Sequence, residues 1–464
     1  MRIPFGSQSY KARSVPFMSQ RCVNLIPEVG TANSRSELML YGSPGLLLFA
    51  DCGDGPIRGM LDMGDYLYVA SGTAVYQIDS GGTATLCTGA TLSGSGRVSM
   101  DHNGTQLVIV TNPSAYVVVG TTVTQITDAD FPGASSVTVV DGYHIFSEPD
   151  SGRMFISSLL DADEFDALDF VTAEVRPDNL VRVIADHREV WLFGKTSVEV
   201  WVDSGEADFP FRRQDGVFLE KGTYSPFSIA QIDNTLFWLA ADGIVYRASG
   251  YQPERVSTHG IEEVIASTVV TDAEGWSYTQ NGHTFYVLTL PQINTTFCYD
   301  AATKLWHERV SGTDDIARWR VSTGINVFSK VIVGDWTNGN VYELDLDTYT
   351  ENSAAIRRRV VSPPITAATR RARMSKFELE FDAGHGLVTG QGSDPLIGIR
   401  TSDDGGFTWG SQKWRSAGAM GEYRKRARWN RMGAFRNRVI ELEYSEPTKF
   451  ALFAADVDVD GLAS

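Results

Sequence analysis

Seven short runs of β-forming residues recur along most of this chain: Tyr66–Ala70, Gln106–Thr111, Tyr143–Ser147, Glu189–Phe193, Thr235–Leu239, His283–Leu288 and Lys330–Val333. Their first residues are 40, 37, 46, 46, 48 and 47 apart. A step of about 44 residues is the length that four antiparallel strands and their turns occupy in one propeller blade. Turn signals precede six of the runs, at Met63–Asp65, His102–Gly104, Asp141–Gly142, Ala185–His187, Ile232–Asn234 and Asn281–Gly282. There a hairpin must reverse. Further turns lead into second runs at Ala74–Ile78, Val198–Trp201, Ile244–Tyr246 and Val341–Leu344. Helical periodicity is confined to Gly260–Ala266 and Asp161–Phe170, each long enough for two or three turns. The pattern predicts an all-β chain with a propeller of about seven blades over 55–352. Residues 1–54 form an N-terminal segment joining the propeller, with closure of the ring one role open to it.

After Glu351 the pattern breaks at Arg357–Pro364, because consecutive prolines cannot sit inside a sheet. New alternating runs follow at Lys376–Phe381, Leu396–Arg400, Arg438–Glu443 and Phe450–Phe453, which predict a β-sandwich-like domain over 356–464. With 464 residues, 42% of them hydrophobic, the chain buries several cores and is not a disordered or fibrous protein. No window reaches the roughly 20 apolar residues of a membrane helix, and the N-terminus lacks an apolar core of signal-peptide length. Cys22, Cys52, Cys87 and Cys298 are scattered without a CxxC pair, the pattern of free thiols and not of a zinc site or a disulfide frame.

The formal charge of −17 argues against a surface that grips nucleic acid throughout. That charge is unevenly divided: residues 356–450 hold 18 Lys and Arg against 10 Asp and Glu, so +8 sits there and −25 elsewhere. Its densest part is Arg424, Lys425, Arg426, Arg428 and Arg431, the candidate interface residues. Arg beside Trp429 binds phosphates, docks on an acidic neighbouring subunit, or simply solvates a hairpin, and all three readings stay open.

The segment Ser402–Trp409 fits the S-x-D-x-G-x-T-W pattern of the Asp-box of sialidase-like propellers. An Asp-box is a hairpin turn whose Ser and Asp side chains satisfy backbone groups, so it reports local fold and not catalysis. The carboxylates Asp314–Asp315, Glu262–Glu263 and the set Asp161, Asp163, Glu164, Asp166 and Asp169 lack the spacing of a calcium loop and read as solvated acidic loops. His102, His144, His187, His259, His283, His307 and His385 stand singly, and neither a nucleophile elbow nor a phosphate-binding glycine loop is present. No catalytic residue, metal ligand or cofactor-binding residue is assigned.

Gln20–Glu28, Tyr41–Leu46, Gly94–Met100, Gly194–Trp201 and Gly222–Pro226, with the late stretch Thr401–Trp409, Tyr423 and the Arg-rich run to Arg438, resemble the packaged-DNA stabilisation proteins of short-tailed bacteriophages, also called tail accessory factors or tail hubs. The resemblance follows the order of the chain over nearly its whole length. It implies a structural virion protein of the tail, not an enzyme, assembled in the host cytoplasm. It further implies a homo-hexameric ring below the portal-bound adaptor. Such a ring extends and helps close the DNA channel, retains packaged DNA until ejection, and docks a tail needle or plug and tailspikes or fibres. DNA would pass without sequence-specific binding, which suits an acidic wall. Two other classes are a receptor- or glycan-binding tail protein and a carbohydrate-active propeller enzyme.

Overall fold

The computed structural model describes all residues except 1, 4, 31–33, 35, 174–175, 207–208, 315–316, 368–369 and 462–464. Seven sheets, each built on antiparallel strands, follow one another along the chain. Their first, innermost strands are Ile57–Met63, Ser99–His102, Ser136–Val140, Leu180–Asp186, Ala230–Ile232, Glu274–Gln280 and Val321–Val327. The last of these lies beside the first. Each of the seven β runs read from the sequence falls on the second strand of one blade. The outer strand of blade seven comes from the other end of the propeller sequence: Gly45–Asp51 pairs antiparallel with Asn340–Asp345, so the ring is closed between the two ends.

Seven of the eight buried apolar clusters lie between neighbouring blades, which is why the blade strands are aromatic on both faces. Between blades two and three, Phe131, Phe146, Phe155 and Phe165 pack at ring separations of 5.1 to 6.0 Å. Between blades six and seven, Trp276 stacks on Trp319 at 5.9 Å. The hairpins joining first to second strands place both turn residues at positive φ in several blades, as in Asp141–Gly142, Asp233–Asn234 and Asn281–Gly282, where Asn, Asp and Gly tolerate it best. His187–Arg188 and Phe328–Ser329 adopt the same geometry without such residues.

Around the axis the inner strands are tied by side chains. Asp101 Oδ2 accepts the Thr138 hydroxyl at 3.0 Å and the Val139 N–H at 2.8 Å, while Thr138 Oγ1 accepts the Ala185 N–H at 2.8 Å. Blades two, three and four are thereby joined through one hydroxyl. The belt continues from Gln231 to the Ala185 carbonyl, from Ser277 to the Gln231 carbonyl, and through the reciprocal pair of Thr279 and Asn326. Burial pushes the Asp101 carboxyl above its ordinary value, so its donors matter. Replacing Thr138 by Val keeps the shape but leaves the Ala185 N–H without an acceptor. A loss of about 1–3 kcal/mol is expected in urea unfolding, against no resolvable change for the exposed Thr124→Val.

One expectation fails here. Asp161–Phe170 contains no helix, because its aspartates bond their own backbone: Asp166 Oδ1 accepts the Leu168 N–H at 2.9 Å. The predicted helix at Gly260–Ala266 is present as His259–Ile265.

The C-terminal domain packs two sheets around one core that includes Phe377, Trp429, Leu442 and Tyr444. Its outer sheet runs, in order, through Leu25–Val29, Leu38–Gly42, Ala451–Gly461, Ala372–Phe381 and Ala427–Phe435, with Arg2–Ile3 also paired to Ala451–Gly461, so three of its strands come from the N-terminal segment. The inner sheet is continuous with blade six. Ser19–Val23 lies between Leu305–Arg309 of the propeller and Arg358–Val361, which continues into Asn437–Tyr444 and Leu396–Ser402. Arg358–Val361, inside the run Arg357–Pro364 read from sequence as a break, is therefore the strand that fastens the two domains together; Pro363 and Pro364 follow it outside any strand.

Candidate assembly interface

The fastening sheet carries a line of buried ion pairs. Glu441, 1% exposed, receives Arg359 at 2.6 Å and Arg400 at 2.6 and 3.0 Å. Arg21 from the N-terminal strand binds Glu308 of blade six, and Arg357 reaches Glu443 at 2.9 Å. Burial alone would raise the Glu308 and Glu443 carboxyls; the guanidiniums of Arg21 and Arg357 outweigh it and hold both below their ordinary values. Between the domains lies a cleft of about 880 Å³, walled by Lys11, Arg13, Val264, Phe407 and Trp409 among others.

The basic run is distributed along a single strand and the turn before it, and does not form one patch. Arg426 binds Glu378 and Glu380 at 3.0 and 3.1 Å, Arg428 binds Glu378 at 2.7 Å, and Lys425 binds Glu422 at 3.1 Å. Three of the five candidate residues are thus engaged by carboxylates of their own domain. Arg424 and Arg431 are exposed and have no ion pair among the described residues. Arg424 lies in the turn before Ala427–Phe435, beside exposed Met420 and Tyr423, and Arg431 lies in the middle of that strand at a bulge with φ 58°. Near Arg431 the antiparallel pairing of Ala372 with Phe435 and Arg373 with Ala434 brings in Arg370, Arg371, Arg373 and Arg436, all exposed and without an ion pair among the described residues. This five-arginine group was hidden in the sequence because its members come from two segments some 60 residues apart. The domain also carries Asp456, Asp458 and Asp460, beyond the window counted from sequence, which reduces its basic excess from eight to five.

The other sequence candidates take structural places. In the Asp-box, Asp404 accepts the Ser402 hydroxyl at 2.6 Å and the Phe407 and Thr408 N–H groups at 3.0 Å, and these bonds hold its carboxyl far below the ordinary range. Asp403 binds Arg438 at 2.7 and 2.8 Å. Glu262, in the first turn of its helix, accepts from the Arg255 guanidinium and the Ser257 hydroxyl. The Asp163 N–H donates to Asp161 Oδ1 at 3.4 Å, and Asp315 lies outside the described residues. His144 and His307 are fully buried, which lowers them to about 4 and about 3, and neither ring has a hydrogen-bond partner among the described residues. All four cysteines are free and buried, and burial raises Cys52 to about 12 and Cys87 to about 11. Among the described residues no group of three or more His, Cys, Asp or Glu converges as a metal site would require, and no helix is long and apolar enough to cross a membrane.

This geometry defines a class: a closed propeller fused through a shared sheet to a sandwich. Family models place it further. "Bacteriophage P22 Gp10, beta-propeller" matches residues 1–349 and "Bacteriophage P22 Gp10, beta-sandwich" matches 357–460. The chain belongs to the bacteriophage P22 Gp10 family and is a structural protein of the phage tail. The curated proteins contain no match. Solved structures similar to it include the computationally designed Ika8 protein (13% identity, TM-score 0.37, 64% of this chain and 99% of that one). The extracellular domain of the hybrid two-component system BT4673 from B. thetaiotaomicron is also similar (10%, 0.45, 76% and 45%), as is the Neurospora crassa Pan2 WD40 domain (9%, 0.45, 65% and 96%). At these scores they carry no argument about function.

Proposed function

We propose that this chain is a non-catalytic subunit of a tail hub, a homo-hexameric ring below the portal-bound adaptor that extends and helps close the DNA channel and receives the needle or plug and the tailspikes or fibres. The observation that carries this reading is the match of both domains, in order, to the P22 Gp10 models. The structure supports it in two ways. Side chains reach across the propeller axis, so the duct of this reading runs between chains and not through a blade ring. The bonded junction between domains suits a subunit that must transmit load without hinging.

Lateral contact is assigned to the five-arginine group of the sandwich against the acidic propeller of a neighbour, an attraction that is steered and salt-dependent. Reversing Arg373, Arg431 and Arg436 to Glu is expected to abolish ring formation in analytical ultracentrifugation at low salt while leaving the melting temperature of the monomer unchanged. Normal assembly of that variant ends the docking assignment. Reversing Arg426 and Arg428 is no substitute, since it sets new carboxylates against Glu378 and Glu380.

The hub reading is tested by assembling phage without this chain and counting filled heads by electron microscopy beside a complemented control. Emptied heads lacking the distal tail are expected; filled heads with an otherwise complete tail refute closure and favour receptor binding.

A further inference from the structure

The mouth of the propeller at which the innermost strands begin is closed by arginines. Arg97 stands just before the first strand of blade two, Arg182 in that of blade four, and Phe227 in the short turn Pro226–Ser228 that leads into blade five. Blades two and five lie on opposite sides of a seven-membered ring, so contact between their residues crosses the axis. That contact exists: the Arg97 guanidinium lies 5.8 Å from the centre of the Phe227 ring and the Arg182 guanidinium 5.6 Å from the same ring.

Arg97 donates to the Ser322 carbonyl of blade seven, and Arg182 to the Pro226 carbonyl at 2.8 Å. Each guanidinium has five N–H donors, and these are the hydrogen bonds found for each among the described residues. The Nε of both is buried without an acceptor, and neither has a carboxylate within ion-pair distance among the described residues. Both side chains are half-buried.

Other arginines of the interior differ. Arg58 has an acceptor at each of its three nitrogens, the carbonyls of Gly96, Gly72 and Ser93, and Arg318 is bound to Glu274 at 2.5 Å. Glu274 attracts Arg97 and Asp101 attracts Arg182, but neither carboxylate makes contact, and two cations gathered on one ring without a contacting anion are costly unless something supplies the charge. Consistently, burial and the proximity of Arg97 lower Arg182 to about 10.

We propose that Arg97 and Arg182, set against Phe227 at the axial mouth, form a binding site for a phosphate-class oxyanion. The guanidinium fork matches phosphate oxygens, and a phosphate group near neutral pH carries close to two negative charges, the complement of two arginines. A single carboxylate would leave one cation uncompensated. The phosphate is either free in solution or carried at the end of a nucleic-acid strand.

The test uses the full chain. Calorimetric titration with potassium phosphate, at an ionic strength held constant with potassium chloride, is expected to show saturable binding at one site per chain. Arg182→Gln and Arg97→Gln are each expected to weaken it at least about tenfold, while melting no lower than the parent in chloride because a like-charge pair has been relieved. Absence of a saturable signal in the parent overturns the site without recourse to any variant. Equal affinity in a folded Arg97→Gln or Arg182→Gln overturns it as well. A 5′-phosphorylated trinucleotide and its unphosphorylated counterpart separate the sources. Displacement of phosphate by the phosphorylated strand alone identifies a nucleic-acid end, its failure in the presence of phosphate binding identifies the free ion, and displacement by both equally refutes recognition of a phosphate group.

Discussion

A chain beginning at residue 53 is expected to lose both domains at once. The removed segment contains Gly45–Asp51, the fourth strand of blade seven, without which blades seven and one face each other across an open seam with Ile57, Ile332 and Val341 stripped of cover. It also contains Ser19–Val23, the strand between blade six and Arg358–Val361, and the pair Leu25–Val29 and Leu38–Gly42 that extends the sandwich sheet and covers part of its core. Uncovered strand edges and apolar faces lead to aggregation before any local repair. Expression of residues 53–464 should therefore give insoluble protein, or a soluble fraction lacking cooperative thermal unfolding by circular dichroism. Co-expression with 1–52 as a separate chain should restore part of the soluble yield if pairing, and not chain continuity, is what matters. A truncated chain that melts at the parental temperature contradicts this account of closure.

The seven-blade repeat was legible because each second strand is a buried run of β-branched and aromatic residues behind a turn, as at Glu189–Phe193 and Thr235–Leu239. The turns at His187–Arg188 and Phe328–Ser329 show the limit of that signal. Neither Phe328 nor Ser329 has an intrinsic preference for positive φ, and only the pairing of Val327 with Lys330 across the hairpin imposes it. The first 42 residues were least legible, because their strands are short and find partners more than 250 residues away, as Val23 does with Glu308 and Leu40 with Leu452. Charge misled in a related way. Arg357, Arg358 and Arg359 read as part of a break between domains, yet each reaches an acceptor in the sandwich: Glu443, the Glu446 carbonyl and Glu441. The run from Arg424 to Arg431 read as one surface, whereas strand alternation and Glu378 divide it. Arg97 and Arg182 carry no local pattern at all; 85 positions apart, they meet only because the ring closes.

Loss of Glu441 should be the most damaging single substitution at the domain junction. Its carboxylate serves Arg359 and Arg400 together at 1% exposure, and Arg400 also lies over Trp409 at 5.0 Å. Removing one partner of a buried pair leaves charge in a poorly solvated place and costs about 3–5 kcal/mol. Glu441→Ala is therefore expected to split a single calorimetric transition in two, with the sandwich melting ahead of the propeller. Glu441→Gln, which keeps an acceptor but not the charge, should fall between. Acidification should imitate the substitution. Glu308 and Glu443 are held below their ordinary value of 4.5 in the folded state, so the stability they contribute is present above that pH and disappears as pH falls through the depressed values. Wild-type protein scanned from pH 7 downward should show a single transition that divides below about pH 4.5, with the lower-melting component matching that of Glu441→Ala at neutral pH. A single transition retained by Glu441→Ala at every pH would mean that the continuous backbone ladder from blade six to the sandwich couples the domains without its ion pairs.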